Sequence, residues 1–198
     1  MRVVLADYGA GNLRSVCSAL ARAGAQPVVT KDPTDVAAAP LAVVAGVGHA
    51  ARAAAGLGPL ADVLRDRVVA GRPVFGICVG LQLLFEQSDE GGEGLGLLAG
   101  RVRKLQAPTV PHMGWNELAF ARPSRILDGL DGADVYFAHS YAVQPEDDDL
   151  VVARVDHAGA VVAAVEEGGL ACVQFHPERS GAAGARLLDN VLQWSRSV

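Results

Sequence analysis

The sequence predicts an α/β fold: a mostly parallel sheet flanked by helices, with an antiparallel β-meander as a C-terminal extension. Three observations predict it. Up to residue 87, short apolar runs alternate with amphipathic helical patterns, the rhythm of successive βα units. Glycines at positions 91, 92, 94, 96 and 100 then break that rhythm. Residues 150–175 repeat apolar runs separated by His-Ala-Gly and Glu-Gly-Gly, the turn chemistry of hairpins.

Taken in order, Arg2–Ala6 reads as a buried strand followed by the glycine-bearing turn Asp7-Tyr8-Gly9-Ala10-Gly11. Asn12–Ala23 reads as a helix, with Leu13, Val16, Cys17 and Leu20 on one face and Gly24 as its stop. Pro27–Thr30 and Leu41–Ala45 are further strands, and the capped stretch Asp32–Ala38 between them is a short helix. Leu60–Val69 is helical and ends before Gly71. Pro73–Ile77 returns to a strand, and Val79–Gln87 to a helix. A last helix over Ala182–Trp194 presents Leu187, Leu188, Val191 and Trp194 to the sheet. No repeat or linker divides the chain, so residues 1–198 are expected to form one domain.

Composition narrows the function. The chain has 198 residues, 51% hydrophobic and 20% charged, which excludes global disorder and permits a core without staples. A net charge of −5 lacks the excess of Lys and Arg that a nucleic-acid footprint needs. Cys17, Cys78 and Cys172 are odd in number and scattered, giving neither a disulfide framework nor a zinc pattern. The opening apolar run is too short for a signal peptide, and no stretch is long enough to span a membrane. These points predict a cytoplasmic protein. The histidines show no metal-ligand spacing, so neither a metal nor another cofactor is expected.

Gly76-Ile77-Cys78-Val79-Gly80 lies where a strand gives way to a helix, the setting of a nucleophile elbow with cysteine in place of serine. Flanking glycines let the turn close and push the side chain above the sheet. A helix N-terminus favours the thiolate, and the Val79 amide points where an oxyanion would form. Cys17 and Cys172 fall on apolar patterns and read as packing.

A cysteine nucleophile needs a base, and the base needs a group that orients it. His176 follows the strand Leu170–Phe175 and precedes a proline, which holds it extended. In an extended segment Glu178 projects to the same side, within reach of the imidazole. His157 falls in a hairpin turn and is expected in solvent. Gly9-Ala10-Gly11 lacks the third glycine of a dinucleotide fingerprint and reads as a tight turn. Gly46-Val47-Gly48 follows a strand, at the sheet end where open α/β folds bind ligands.

The elbow, continued through Leu81 and Gln82, and the run Gln174-Phe175-His176-Pro177-Glu178 together resemble the class I glutamine amidotransferases. Three further segments, Asp7–Leu13, Val110–Asn116 and Tyr136–Tyr141, resemble the glutaminase subunits of imidazole glycerol phosphate synthase within that class. The resemblance implies a flavodoxin-like sheet and hydrolysis of glutamine by Cys78, His176 and Glu178. It also implies ammonia transfer to a (β/α)8-barrel cyclase subunit. It places oxyanion donors at the Val79 and Val47 amides, and substrate contacts at Gly48, Gln82, His139, Ser140 and Tyr141. Asn12, Met113, Trp115 and Arg179 match positions near the partner.

Two departures stand out. Ala45 replaces the proline that usually opens the oxyanion loop, predicting a looser loop. Arg179 replaces a lysine, keeping the charge of an expected interface salt bridge while changing its geometry. The competing readings are an amidotransferase of anthranilate or pyridoxal phosphate synthesis, a non-catalytic homologue, and an esterase-like hydrolase. The Pro-His-Met-Gly-Trp-Asn segment weighs against the first, and the intact triad against the second. Nothing beyond the elbow supports the third.

Overall fold

A computed structural model describes residues 1–198. The first half runs β1 (Arg2–Ala6), α1 (Leu13–Arg22), β2 (Gln26–Thr30), α2 (Pro33–Ala38) and β3 (Leu41–Gly46). It continues through α3 (Ala50–Leu57), α4 (Leu60–Val69), β4 (Val74–Cys78), α5 (Val79–Gln82) and β5 (Phe85–Ser88). The second half contains β6 (Leu98–Lys104), β7 (His112–Glu117), β8 (Ala119–Phe120), β9 (Asp134–His139) and β10 (Tyr141–Pro145). It closes with β11 (Val151–Asp156), β12 (Ala160–Glu167), β13 (Leu170–Val173) and α6 (Gly181–Trp194).

Eight strands form the main sheet in the order β2-β1-β3-β4-β13-β12-β11-β8. The first five are parallel and the last three antiparallel. The meander therefore continues the main sheet, because β13 inserts parallel beside β4. Strands β3 and β4 are buried throughout, as apolar runs covered on both faces should be. Helix α1 packs with α6, and α2 with α4. The sheet β10-β6-β5 and the ribbon β7-β9 complete the fold.

Two local readings change. The helix expected over Val79–Gln87 stops at Gln82, and Phe85–Ser88 becomes strand β5. The Leu83 carbonyl accepts from the Leu95 amide, and the Leu84 carbonyl from the amides of Leu97 and Leu98. Phe85 is buried opposite Leu98. Tertiary strand pairing thus overrides a leucine-rich periodicity that serves either element. Helix α3 was not expected, because its alanine-rich segment carries little periodic contrast.

Glycine makes the close approach of α5 to β3 possible. A Cβ on Gly80 would lie 1.8 Å from the Val44 carbonyl oxygen, a backbone atom that cannot swing aside. We expect Gly80→Ala to cost roughly 3 kcal/mol by overpacking, read as a lower urea midpoint at unchanged slope.

Candidate active site

The register of three parallel strands builds the site. Gly46 at the end of β3 is paired with Cys78 at the end of β4, and Ile77 with Val173 at the end of β13. The carboxyl ends of neighbouring strands therefore present the loop after β3, the cysteine and the chain leading to His176 side by side.

Cys78 has φ 53° and ψ −104°, a left-handed conformation for a residue with a Cβ. Such strain costs about 1–3 kcal/mol and persists only where its surroundings impose it. The turn around it leaves no room for a side chain at Gly76, where a Cβ would meet Cys172 Sγ at 2.6 Å and the Gly80 backbone at 3.1 Å. Cys172 is itself fully buried, and burial pushes its thiol well up, so it is packing rather than chemistry. Burial also raises the half-buried Cys17. As the first residue of α5, Val79 carries an amide with no partner within its helix.

His176 and Glu178 meet as expected, although not by the expected route. Pro177–Arg179 forms a 3-10 turn rather than an extended segment, and its curvature brings Glu178 back to the ring. His176 Nδ1 donates to Glu178 Oε1 at 2.9 Å, which leaves Nε2 for the cysteine. Burial disfavours the charged imidazole, but the Cys78 sulfur and the Glu178 carboxylate outweigh it and raise His176 above its ordinary value. The second carboxylate oxygen of Glu178 is buried without a partner. Ser180, which the sequence reading passed over, braces the backbone here. Its hydroxyl donates to the His176 carbonyl at 2.7 Å and accepts from the Tyr136 amide at 3.0 Å.

A cleft of about 290 Å³ opens over Cys78, lined by Gly48, Val79, Gln82, Met113, His139, Ser140 and Tyr141 among others. The structure thus gathers all five of the sequence-derived substrate positions into one cavity. Val47 precedes the cleft-lining Gly48 and is exposed, so only its backbone could serve an oxyanion. The position that lacks the proline lies in the strand before this loop rather than in the loop itself. Ala45 belongs to β3, and its carbonyl accepts the Tyr8 hydroxyl at 2.9 Å. Gly11 packs against it at φ 109°, where a Cβ would stand 2.9 Å from the same carbonyl oxygen. That contact explains the glycine-bearing turn after β1. Glu90 also lines the cleft and accepts from the Ala50 amide. No periodicity marks Glu90, because it sits in the irregular glycine-rich segment.

One backbone carbonyl orders the polar side chains around the cleft. Tyr141 O accepts from His139 Nδ1 at 2.9 Å and from Gln82 Nε2 at 2.9 Å. A carbonyl cannot donate, so His139 carries its proton on Nδ1 and accepts at Nε2 from His112 Nδ1, 3.1 Å away. Burial lowers His112 to about 4 and His139 to about 3, keeping both neutral near pH 7. His157 is half-buried rather than in solvent. It stacks on His112 with ring centroids 4.0 Å apart and donates to the Thr109 carbonyl. Gln82 Nε2 also reaches Gln174 Oε1 at 3.2 Å, and Gln174 Nε2 lies 3.5 Å from Cys78 Sγ.

The positions assigned to a partner face are exposed. Met113 and Trp115 lie on β7 at 65% and 57% exposure. Trp115 meets Tyr136 edge-on, and the Arg179 guanidinium lies 5.4 Å from the Tyr136 ring centre. Asn12 is exposed at the start of α1, where its amide donates to Ser15 Oγ at 2.7 Å. No helix is long and apolar enough to cross a membrane.

Comparison with known proteins agrees with this geometry. Residues 4–194 match the family model for glutamine amidotransferase class-I. The chain is 44% identical to imidazole glycerol phosphate synthase subunit HisH of Natronomonas pharaonis, covering 97% of this chain and 94% of that protein. Identity is 41% to the HisH subunit of Methanothermobacter thermautotrophicus (98% and 100% covered). It is 46% to that of Mycobacterium bovis (95% and 95%). Among solved structures, a glutamine amidotransferase superposes with a TM-score of 0.78 at 20% identity, covering 98% of both chains. PurLQS from Thermotoga maritima superposes at 0.77 and 22% identity, again over 98% of both. These structural likenesses speak to the fold alone. With the family's model spanning nearly all of its length, this chain belongs to the class I glutamine amidotransferases.

Proposed function

We propose that the chain is the glutaminase subunit of imidazole glycerol phosphate synthase. In this reading residues 1–198 act as one glutamine amidotransferase domain, and Cys78, His176 and Glu178 are its catalytic triad. The observation that carries the chemistry is a strained cysteine lining a cleft of about 290 Å³ and hydrogen-bonded to a histidine that a buried carboxylate orients. The pathway assignment rests on identity over nearly the full length of the HisH subunits.

The Cys78 thiolate attacks the side-chain carboxamide carbon of glutamine, and the electron pair of the C=O bond moves to oxygen. The backbone amides of Val79 and Val47 stabilise that oxyanion. Collapse breaks the C–N bond, and the leaving nitrogen takes the proton from His176, so ammonia departs and a thioester remains. His176, now neutral, takes a proton from water, whose oxygen attacks the thioester. The second tetrahedral species expels the thiolate, releasing glutamate and restoring the starting ion pair. Gln82 has spent both amide hydrogens on Tyr141 and Gln174, so its oxygen is the atom left to accept from substrate. The Glu90 carboxylate complements an α-ammonium, and Gly48, His139, Ser140 and Tyr141 shape the remaining wall.

Ammonia then passes to a cyclase subunit, a (β/α)8 barrel, which makes imidazole glycerol phosphate and AICAR for histidine biosynthesis in the cytoplasm. Asn12, Met113, Trp115 and Arg179 form the docking face. Direct transfer keeps ammonia from protonation in water, where it would lose its nucleophilic electron pair. The test is glutamate release by the purified chain with and without the cyclase subunit and its nucleotide substrate. Stimulation by the pair is expected. Equal rates with and without it would refute the partnership.

A further inference from the structure

We propose that Gln174 is a catalytic residue that donates an N–H to the Cys78 sulfur and so sustains its thiolate, an inference resting on Cys78 being the nucleophile. The orientation of its amide follows from neighbours whose chemistry allows one answer. The Tyr141 carbonyl can only accept, so the atom that Gln82 turns to it at 2.9 Å is the amide nitrogen. The same nitrogen lies 3.2 Å from one terminal atom of the Gln174 amide, which must then be oxygen. The other terminal atom, facing Sγ at 3.5 Å, is therefore the NH₂ group. Flipping Gln174 would set two NH₂ groups against each other and aim an oxygen at the sulfur.

Burial makes this contact consequential. Gln174 is 0% exposed, so no bulk water competes for its hydrogens or replaces the bond when it is lost. Helix α5 is only four residues long and aligns few peptide dipoles behind the sulfur. Side-chain donors must therefore supply much of what the expected longer helix would have supplied. His176 is one, but it surrenders its proton during each turnover. Gln174 cannot ionise, so it remains a donor in every step. It stabilises the thiolate before attack and again when the thioester expels it.

The test compares the wild-type chain with Gln174→Met and Gln174→Glu. Methionine keeps the length without a donor, and glutamate keeps the shape while replacing the NH₂ by oxygen. The first readout is the ultraviolet thiolate absorbance of the purified chain across pH, with the Cys78→Ala signal subtracted. The midpoint is expected to rise by about one pH unit in Gln174→Met, the loss of a hydrogen bond to a charged group, and further in Gln174→Glu. In the complex with the cyclase subunit, kcat for glutamine hydrolysis is expected to fall about ten-fold with KM little changed. Thermal melts establish which variants fold, and either one suffices. An unchanged midpoint in a folded variant overturns the proposal and leaves Gln174 as packing. Failure of the nucleophile reading has a different signature, namely hydrolysis that survives Cys78→Ala.

Discussion

Cys78→Ala is expected to lower glutamate production by the complex roughly 10⁴-fold, because no other thiol lines the cleft to form the thioester. Cys172 cannot substitute. It is fully buried beneath Gly76, and burial holds its thiol in the neutral form. Cys17 lies on α1, away from the cleft lining. The variant also separates two activities. Synthesis of the final product from added ammonium should continue at the wild-type rate, since the cyclase then receives ammonia without the glutaminase. Parallel assays with glutamine and with ammonium check both halves. Glutamine hydrolysis unaffected by the substitution would sink the mechanism, and loss of the ammonium-dependent reaction would contradict the proposed division of labour.

Glu178→Gln should lower kcat roughly 10³-fold, within the range for impairing a positioned acid–base pair. The substitution keeps the size and an oxygen that can accept from His176 Nδ1, but removes the charge. Burial opposes the imidazolium, while the Cys78 sulfur and the Glu178 carboxylate support it. Taking away the carboxylate therefore lowers the pKa of His176. The charged ring is the form that gives its proton to leaving ammonia, and it is present only below that pKa. The alkaline limb of the kcat profile is thus expected to move to lower pH. A pH profile of the variant complex supplies the measurement, and a limb that stayed in place would remove Glu178 from the proton chemistry.

Local regularities were legible in the sequence because they arise from local causes. Short apolar runs separated by helical patterns specify strands buried on both faces, and β1, β3 and β4 lie where those runs lie. The elbow was equally legible. Glycines at 76 and 80 flank a cysteine at a strand end, and a Cβ at either would strike a neighbour, Cys172 Sγ or the Val44 carbonyl oxygen. The final helix is placed within one residue of its expected start. Readings that failed depend on partners distant in sequence. The leucine-rich stretch after Gln82 suits a helix or a strand, and pairing with Leu98 decided for strand. His157 sits at a hairpin, as its turn residues indicate, but the ring of His112 draws it out of solvent.

The candidate site divides in the same way. The sequence by itself singled out Cys78 and His176, since each sits in a short run whose turn chemistry is its own. Gln174 carried a faint signal, being two residues before His176, but alternation alone does not say what a side chain touches. Only the tertiary structure decided that β13 lies parallel beside β4, which brings His176 to Cys78 from the far end of the chain. It also decided that Pro177–Arg179 curls to return Glu178, and that the Tyr141 carbonyl orders His139, His112, Gln82 and Gln174. The physical reason is one of range. Strand propensity, glycine sterics and turn preferences act over a few residues, whereas the direction of a buried hydrogen bond depends on whichever donor or acceptor the fold sets opposite.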